Sequence, residues 1–305
     1  VTAMRVTTTQ TYDRPSLLMR SLTSQADRLQ IQIATGKKIL APSDSASGWQ
    51  QLSGLKRAAS DDGVYGENVK MAQSLLASTD AALETVETQL QRAKAFAIQA
   101  NSETVTPEGR AAILKEVEAI ITDLLGVVNG KDSRGQPLFG GAAGDAAYAR
   151  QPGGSIAYVG SGEAAPIPVG DGVEIAATET GARAFGDIPG ANGATDMFAI
   201  LNAFAAALQP SAEPGGVETA MTDLDAALDQ LGTTRASVGA RAFRMDLEAE
   251  RLVDVDTARE ATRSGLEEID TSTAIAELQK TLTILQATQA SFTKLTGMSL
   301  FDYLR

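Results

Sequence analysis

The chain of 305 residues contains no cysteine and no histidine, and its 26 Lys and Arg are outnumbered by 38 Asp and Glu, giving a formal charge of −12. Zinc sites built on Cys or His, thiol nucleophiles, Ser-His-Asp triads, haem histidines and disulfide scaffolds all need residue types that are absent, so no enzyme class and no cofactor is expected. The acidic balance opposes binding to a phosphate backbone, where affinity comes from Lys and Arg displacing counterions, and nucleic acid is not expected as a partner.

In chain order, residues 1–10 lack the apolar core of a cleavable signal peptide, and no run of 18 apolar residues suggests membrane insertion. Met19, Leu22, Ala26, Leu29 and Ile33 then recur at intervals of three and four, a narrow stripe along one helix. A break follows at Ala41-Pro42-Ser43-Asp44, where proline disfavours helix in the residue before it and Ser or Asp can cap the next. The second helical region runs to about Ala100. Its seam is a full heptad pattern, with Val69, Leu76, Leu83, Leu90 and Ala97 as one half and Ala72, Thr79, Val86, Ala93 and Ala100 as the other.

Thr106 as N-cap with Pro107 at the first helical position opens the next helix, whose face is Ile113, Val117, Ile120, Leu124 and Val127. From Gly130 the composition turns to Gly, Ala, Pro and Asp. Short alternations at Ser155-Ile-Ala-Tyr-Val159 and Gly172-Val-Glu-Ile-Ala176 predict strands between glycine turns. Helical periodicity returns at Met197 to Phe204, breaks at the Pro- and Gly-rich stretch 209–216, and resumes with Met221, Leu224, Leu228 and Leu231. The last segment carries Ile275, Leu278, Leu282, Leu285, Gln289 and Phe292 as another narrow stripe.

The expected fold is mainly α. Long coiled-coil helices from both termini (1–45 and 265–305) pair, a central helical bundle (46–138 and 190–264) lies between them in the chain, and residues 139–189 form a small β-rich insert. Residues 1–60 carry eight Lys and Arg against three Asp, and residues 246–305 carry six against eleven acids, a net of +5 facing −5. These charges are expected to set partner choice while leucines supply the free energy, since an exposed ion pair contributes only about 0–1 kcal/mol. Burying a Leu is worth about 1.5–3 kcal/mol, and the stripes offer few large residues. Both ends are therefore expected to be loosely structured alone and ordered by neighbouring copies, with Met19, Leu22, Leu29, Ile33, Ile275, Leu278, Leu282, Leu285 and Phe292 as the assembly interface. Trp49 is read as a packing residue after the break rather than a sugar platform.

Several segments carry a resemblance. They are Met4-Arg-Val-Thr-Thr-Thr-Gln10-Thr-Tyr12, Ala34-Thr-Gly-Lys-Lys38, Leu76-Ala-Ser-Thr-Asp80, Asn129-Gly-Lys-Asp-Ser-Arg-Gly-Gln-Pro-Leu-Phe-Gly-Gly141, Arg235-Ala-Ser-Val-Gly-Ala-Arg241 and Met298-Ser-Leu-Phe-Asp-Tyr-Leu304. In order and spacing the chain resembles the bacterial flagellin family, and within it the proteins of the hook–filament junction. Against that subgroup, Asp44-Ser-Ala-Ser-Gly48 departs from the usual doubled aspartate and proline and is similar to filament flagellins. The resemblance implies a self-assembling structural subunit of the bacterial flagellum, with the helical bundle rod-like and the insert outward-facing. Its implied partners are other copies of itself, a hook-side hook-associated protein, filament-side flagellin and a flagellar export chaperone. It also implies secretion through the flagellar export apparatus. The alternatives are a filament flagellin, or a flagellin-like surface protein whose insert binds a glycan or host molecule, with Tyr148, Tyr158 and Phe185 as the insert's aromatics.

Overall fold

A computed structural model describes residues 8–142, 144, 146–212 and 214–301; the motif residues 4–7 and 302–304 lie outside these. In chain order the elements are α1 (Thr8–Thr35), α2 (Ala46–Ala100), α3 (Pro107–Val128), β1 (Tyr148–Arg150), β2 (Ile156–Tyr158), β3 (Ile167–Gly170) and β4 (Val173–Ile175). They continue with α4 (Gly181–Phe185), β5 (Ile188–Gly190), β6 (Gly193–Thr195), α5 (Met197–Ala207), α6 (Gly216–Glu267) and α7 (Thr271–Phe301). The chain divides into two compact units, residues 1–60 with 255–305, and residues 61–254.

In the unit of residues 61–254, every member of the α2 heptad from Val69 to Ala100 is at most 1% exposed. Alanine at 93, 97 and 100 leaves room for the bulkier face of α3, on which Ile113, Val117, Ile120, Ile121, Leu124 and Val128 are buried. Thr106 caps α3 as expected, its Oγ1 accepting from the Gly109 N–H at 3.2 Å. The Arg92–Glu116 ion pair (2.7 Å) fixes α3 antiparallel on α2. Arg235 of α6 reaches Asp80 at 3.1 Å and Glu87 at 2.5 Å on α2. Asp196 caps α5, which buries Phe198, Ile200, Leu201 and Phe204.

The strand-containing segment is three separate antiparallel hairpins, β1–β2, β3–β4 and β5–β6. β2 and β4 fall where alternation predicts them. Of the others, β3, β5 and β6 contain Pro or Gly within three or four residues, which hides any period-two pattern. β1–β2 and β5–β6 adjoin an aromatic cluster in which Tyr148 lies 5.1 Å from Phe198 and 6.2 Å from Phe185, ring centre to ring centre. The Tyr148 hydroxyl donates to the Gly181 carbonyl at 2.8 Å, and a Cβ on Gly181 would lie 2.7 Å from the Tyr148 ring, so only glycine fits there.

In the other unit α1 and α7 pack side by side. They run antiparallel, since the segment after α1 bridges the segment before α7 (Lys37 with Glu268) while Arg14 and Pro15 sit beside Ser291 and Phe292. The two ends of one chain thus cover each other, and Leu22, Ala26 and Leu29 are buried without a second copy. The pairing of the two terminal helices is as expected, and each narrow stripe has the other as its cover.

Candidate assembly interface

The nine residues of the expected interface do not share one environment. Leu22 and Leu29 are buried in the α1–α7 seam, Met19 and Ile33 on α1 and Leu278, Leu282, Leu285 and Phe292 on α7 are half-buried, and Ile275 is 42% exposed. The most covered positions of α7 are Ala274 at 3% and Thr281 at 5%, with Leu278, Leu282, Leu285, Thr288 and Phe292 half-buried beside them. Of the expected stripe, Ile275 and Gln289 are exposed and Leu282 lies at the edge of the covered face. Ile275, Leu282 and Gln289 stand one residue, about 100°, round the helix from Ala274, Thr281 and Thr288. The reason is size, because small side chains at alternate seam positions let α7 approach α1, which itself offers Ala26. The signal was present as an Ala-Thr-Thr heptad, but weighting by apolarity selects the isoleucine and leucine beside it.

Turning α7 this way leaves apolar groups facing outward. On α1, Arg14, Leu17, Ser21, Ser24, Arg28, Ile31 and Thr35 form a second stripe at intervals of three and four, and all seven are exposed, Leu17 at 61% and Ile31 at 53%. On α7, Ile275 and Ile284 are each 42% exposed on opposite flanks of the seam. A groove of about 250 Å³ lined by Arg14, Pro15, Leu18, Thr288, Ser291 and Phe292 runs along one side of the pair. A two-helix coiled coil needs one seam per helix; a helix with two heptad stripes suits neighbours on both sides.

The charges do not sit along the seam as expected. Of the eleven acids in residues 246–305, nine precede α7. They act instead at the joint where α1 ends and α7 begins. Glu267, only 5% exposed, holds Lys37 Nζ at 2.6 Å and Arg263 Nη1 at 2.5 Å, and these partners keep its carboxyl below the usual carboxylate range against the opposing effect of burial. Around it the Lys38 N–H donates to the Glu267 carbonyl (2.7 Å) and the Ile269 N–H to the Gly36 carbonyl (3.0 Å). Gly36 turns the chain out of α1 at φ +70°. Asp44 closes the loop: its Oδ2 accepts from the N–H groups of Leu40 and Ala41, both at 2.9 Å, and these bonds lower its pKa. The cap of α2 is Ser45, whose Oγ accepts from the Gly48 N–H at 3.1 Å. Trp49 is half-buried in that first turn. Proline and the small polar run marked a break here, but nothing local announces a carboxylate some 230 residues away.

Comparison with known proteins bears on what these helices are for. The pattern describing the bacterial flagellin N-terminal helical region matches residues 8–143, and that of the flagellin C-terminal helical region matches residues 221–304. The chain belongs to the bacterial flagellin family. The N-terminal flagellin region supplies α1, α2 and α3, and the C-terminal region supplies most of α6 and all of α7, so the flagellin signature covers both partners of the α1–α7 seam. The chain is 26% identical to the flagellar hook-associated protein 3 of Salmonella typhimurium over 99% of its own length and 100% of that protein's. It is 28% identical to the protein of the same name from Escherichia coli K12, over 98% and 99%. Among solved structures, FlgL from Xanthomonas campestris superposes with a TM-score of 0.61 at 18% identity, covering 69% of this chain and 99% of that one. The flagellar junction protein FlgL from Legionella pneumophila gives 0.60 at 14%, covering 72% and 100%. The fold is thus shared with flagellin relatives, and those relatives are named as flagellar components, not enzymes. No helix among the described residues is long and apolar enough to cross a membrane.

Proposed function

We propose that this flagellin-family chain is the structural adaptor that joins the hook to the filament of the bacterial flagellum. The observation that carries this reading is the correspondence, end to end, with two proteins named hook-associated protein 3. Copies of the chain associate through residues 1–45 and 265–305, a hook-associated protein lies on the hook side and flagellin on the filament side. Delivery is by the flagellar export apparatus, with an export chaperone holding the chain beforehand. Within the terminal pair two roles divide. Met19, Leu22, Leu29, Ile33, Leu278, Leu285 and Phe292 hold α1 to α7, while Leu17, Ile31, Ile275, Leu282 and Ile284 meet neighbouring subunits.

The alternative of a glycan-binding insert keeps only one of its three aromatics, because Tyr148 and Phe185 are buried in the aromatic cluster at 3% and 2% exposure and only Tyr158 is half-buried. Deleting the gene and imaging the cells tests the adaptor directly. Bare hooks with flagellin lost to the medium are expected; normal filaments on swimming cells would sink the idea and favour a redundant filament subunit.

A further inference from the structure

The pairing of α3 with α2 leaves part of the unit of residues 61–254 without a third helix. Arg92 of α2 meets Glu116 of the antiparallel α3, so α3 ends level with about residue 80 of α2. Beyond that level run residues 61–78 of α2 and, alongside them, residues 238–254 of α6, tied together by the Gln73 side chain donating to Asp246 at 2.8 Å. Two helices alone cannot enclose a core, yet Val69, Ala72, Val238 and Met245 are at most 1% exposed and Leu252 is 7% exposed. The same core cluster contains Val169, Ile175 and Ala177 from the β3–β4 segment.

We propose that the β3–β4 hairpin is a brace that completes this half of the core, with Arg241 of α6 as the residue that positions it. The reading is independent of which structure the subunit joins. Arg241 is buried to 17% side-chain exposure and spans the contact: Nη1 donates to the carbonyls of Ala176 (2.8 Å) and Thr178 (3.2 Å), and Nη2 meets Glu179 Oε2 at 2.5 Å. Glu179, 3% exposed, is held on its other oxygen by Arg183 at 2.8 Å. A planar guanidinium with several fixed donors can serve two carbonyls and a carboxylate at once, which a lysine ammonium on a flexible stem does less well. On the hairpin's other strand the Asn68 side chain donates to the Pro168 carbonyl at 2.7 Å, so α2 and α6 are both fastened to the hairpin. A Cβ on Gly170 would lie 2.9 Å from Glu248 Oε1, which shows how closely the hairpin backbone lies on α6. An appendage evolved only for display would need none of these fastenings.

The test is hydrogen exchange with mass spectrometry on the full-length chain carrying Arg241→Ala, Arg241→Lys or Glu179→Gln. Exchange should rise about tenfold or more in residues 167–179 and also in residues 61–78 and 238–254, while α3, α5 and residues 80–100 of α2 stay protected. Arg241→Lys should fall between wild type and Arg241→Ala; if Arg241→Ala loses its helical circular dichroism altogether, the lysine and Glu179→Gln chains give the reading. Loosening confined to 167–179, with both helix halves as protected as in wild type, would overturn the brace and leave the hairpin a passenger.

Discussion

At the scale of single residues, the joint between α1 and α7 turns on Glu267. Its carboxylate is the common partner of Lys37 and Arg263, and the bridging backbone bonds of Lys38 and Ile269 lie beside it. Glu267→Gln removes both ion pairs but keeps the shape, and because Lys37 and Arg263 can still reach water the cost should be about 1–2 kcal/mol. Faster amide exchange at Lys38 and Ile269 is the observable; unchanged exchange there would mean the backbone bridge stands without the carboxylate. The pH dependence has a definite sign. A carboxyl held below its ordinary value of 4.5 contributes stability that is present above that value and lost as pH falls through the lowered folded-state pKa. Asp44 adds to it from an ordinary value of 3.8, so the joint should stay closed from neutral pH to about 4.5 and open below. Gly48 is the steric counterpart: a Cβ there would lie 2.5 Å from Ile39 Cδ1, and Gly48→Ala should destabilise this unit by about 1 kcal/mol in thermal melts.

At the scale of elements, α2 was legible in the sequence almost residue by residue because four heptads of Leu, Val and Ala leave a single phase that buries all of them. α7 was legible as a helix but not in its phase, because two heptads one residue apart compete and the smaller one, Ala274-Thr281-Thr288, wins by allowing closer approach. The hairpins were half-legible, since Pro or Gly within β3, β5 and β6 hides any periodicity and the strands are held by side chains from distant helices. α6 poses the reverse question. Gly232 and Gly239 lie inside a 52-residue helix, both are exposed, and a Cβ at either would meet nothing within 4 Å. Glycine inside a helix costs about 0.5–1 kcal/mol relative to alanine. Gly232→Ala and Gly239→Ala should each therefore raise the melting temperature of the isolated chain. If either also impairs assembly, the face it shares with the 64%-exposed Phe243 is one that another protein must approach closely.

At the scale of the whole molecule, the question is which apolar residues serve folding and which serve association. A seam leucine and an outward isoleucine look alike in the sequence, and the assembly surface could not be separated from the seam until α7 was given its phase. The separation has a measurable consequence. Leu285→Asp places a carboxylate against α1, where desolvation is costly, so the chain should lose helical signal and the protection of α1 before any question of assembly arises. Ile31→Asp and Ile275→Asp put their charges on the water-facing sides of the same helices, and the isolated chains should keep wild-type helicity, and their stability to within about 0.5 kcal/mol. If the outward stripes meet neighbouring copies, those same two substitutions should abolish flagellar assembly in cells that still secrete the chain. Should Ile31→Asp and Ile275→Asp cells swim normally while Leu285→Asp cells do not, Ile31 and Ile275 make no contact that assembly needs, and the proposed division of roles in the terminal pair fails at both positions.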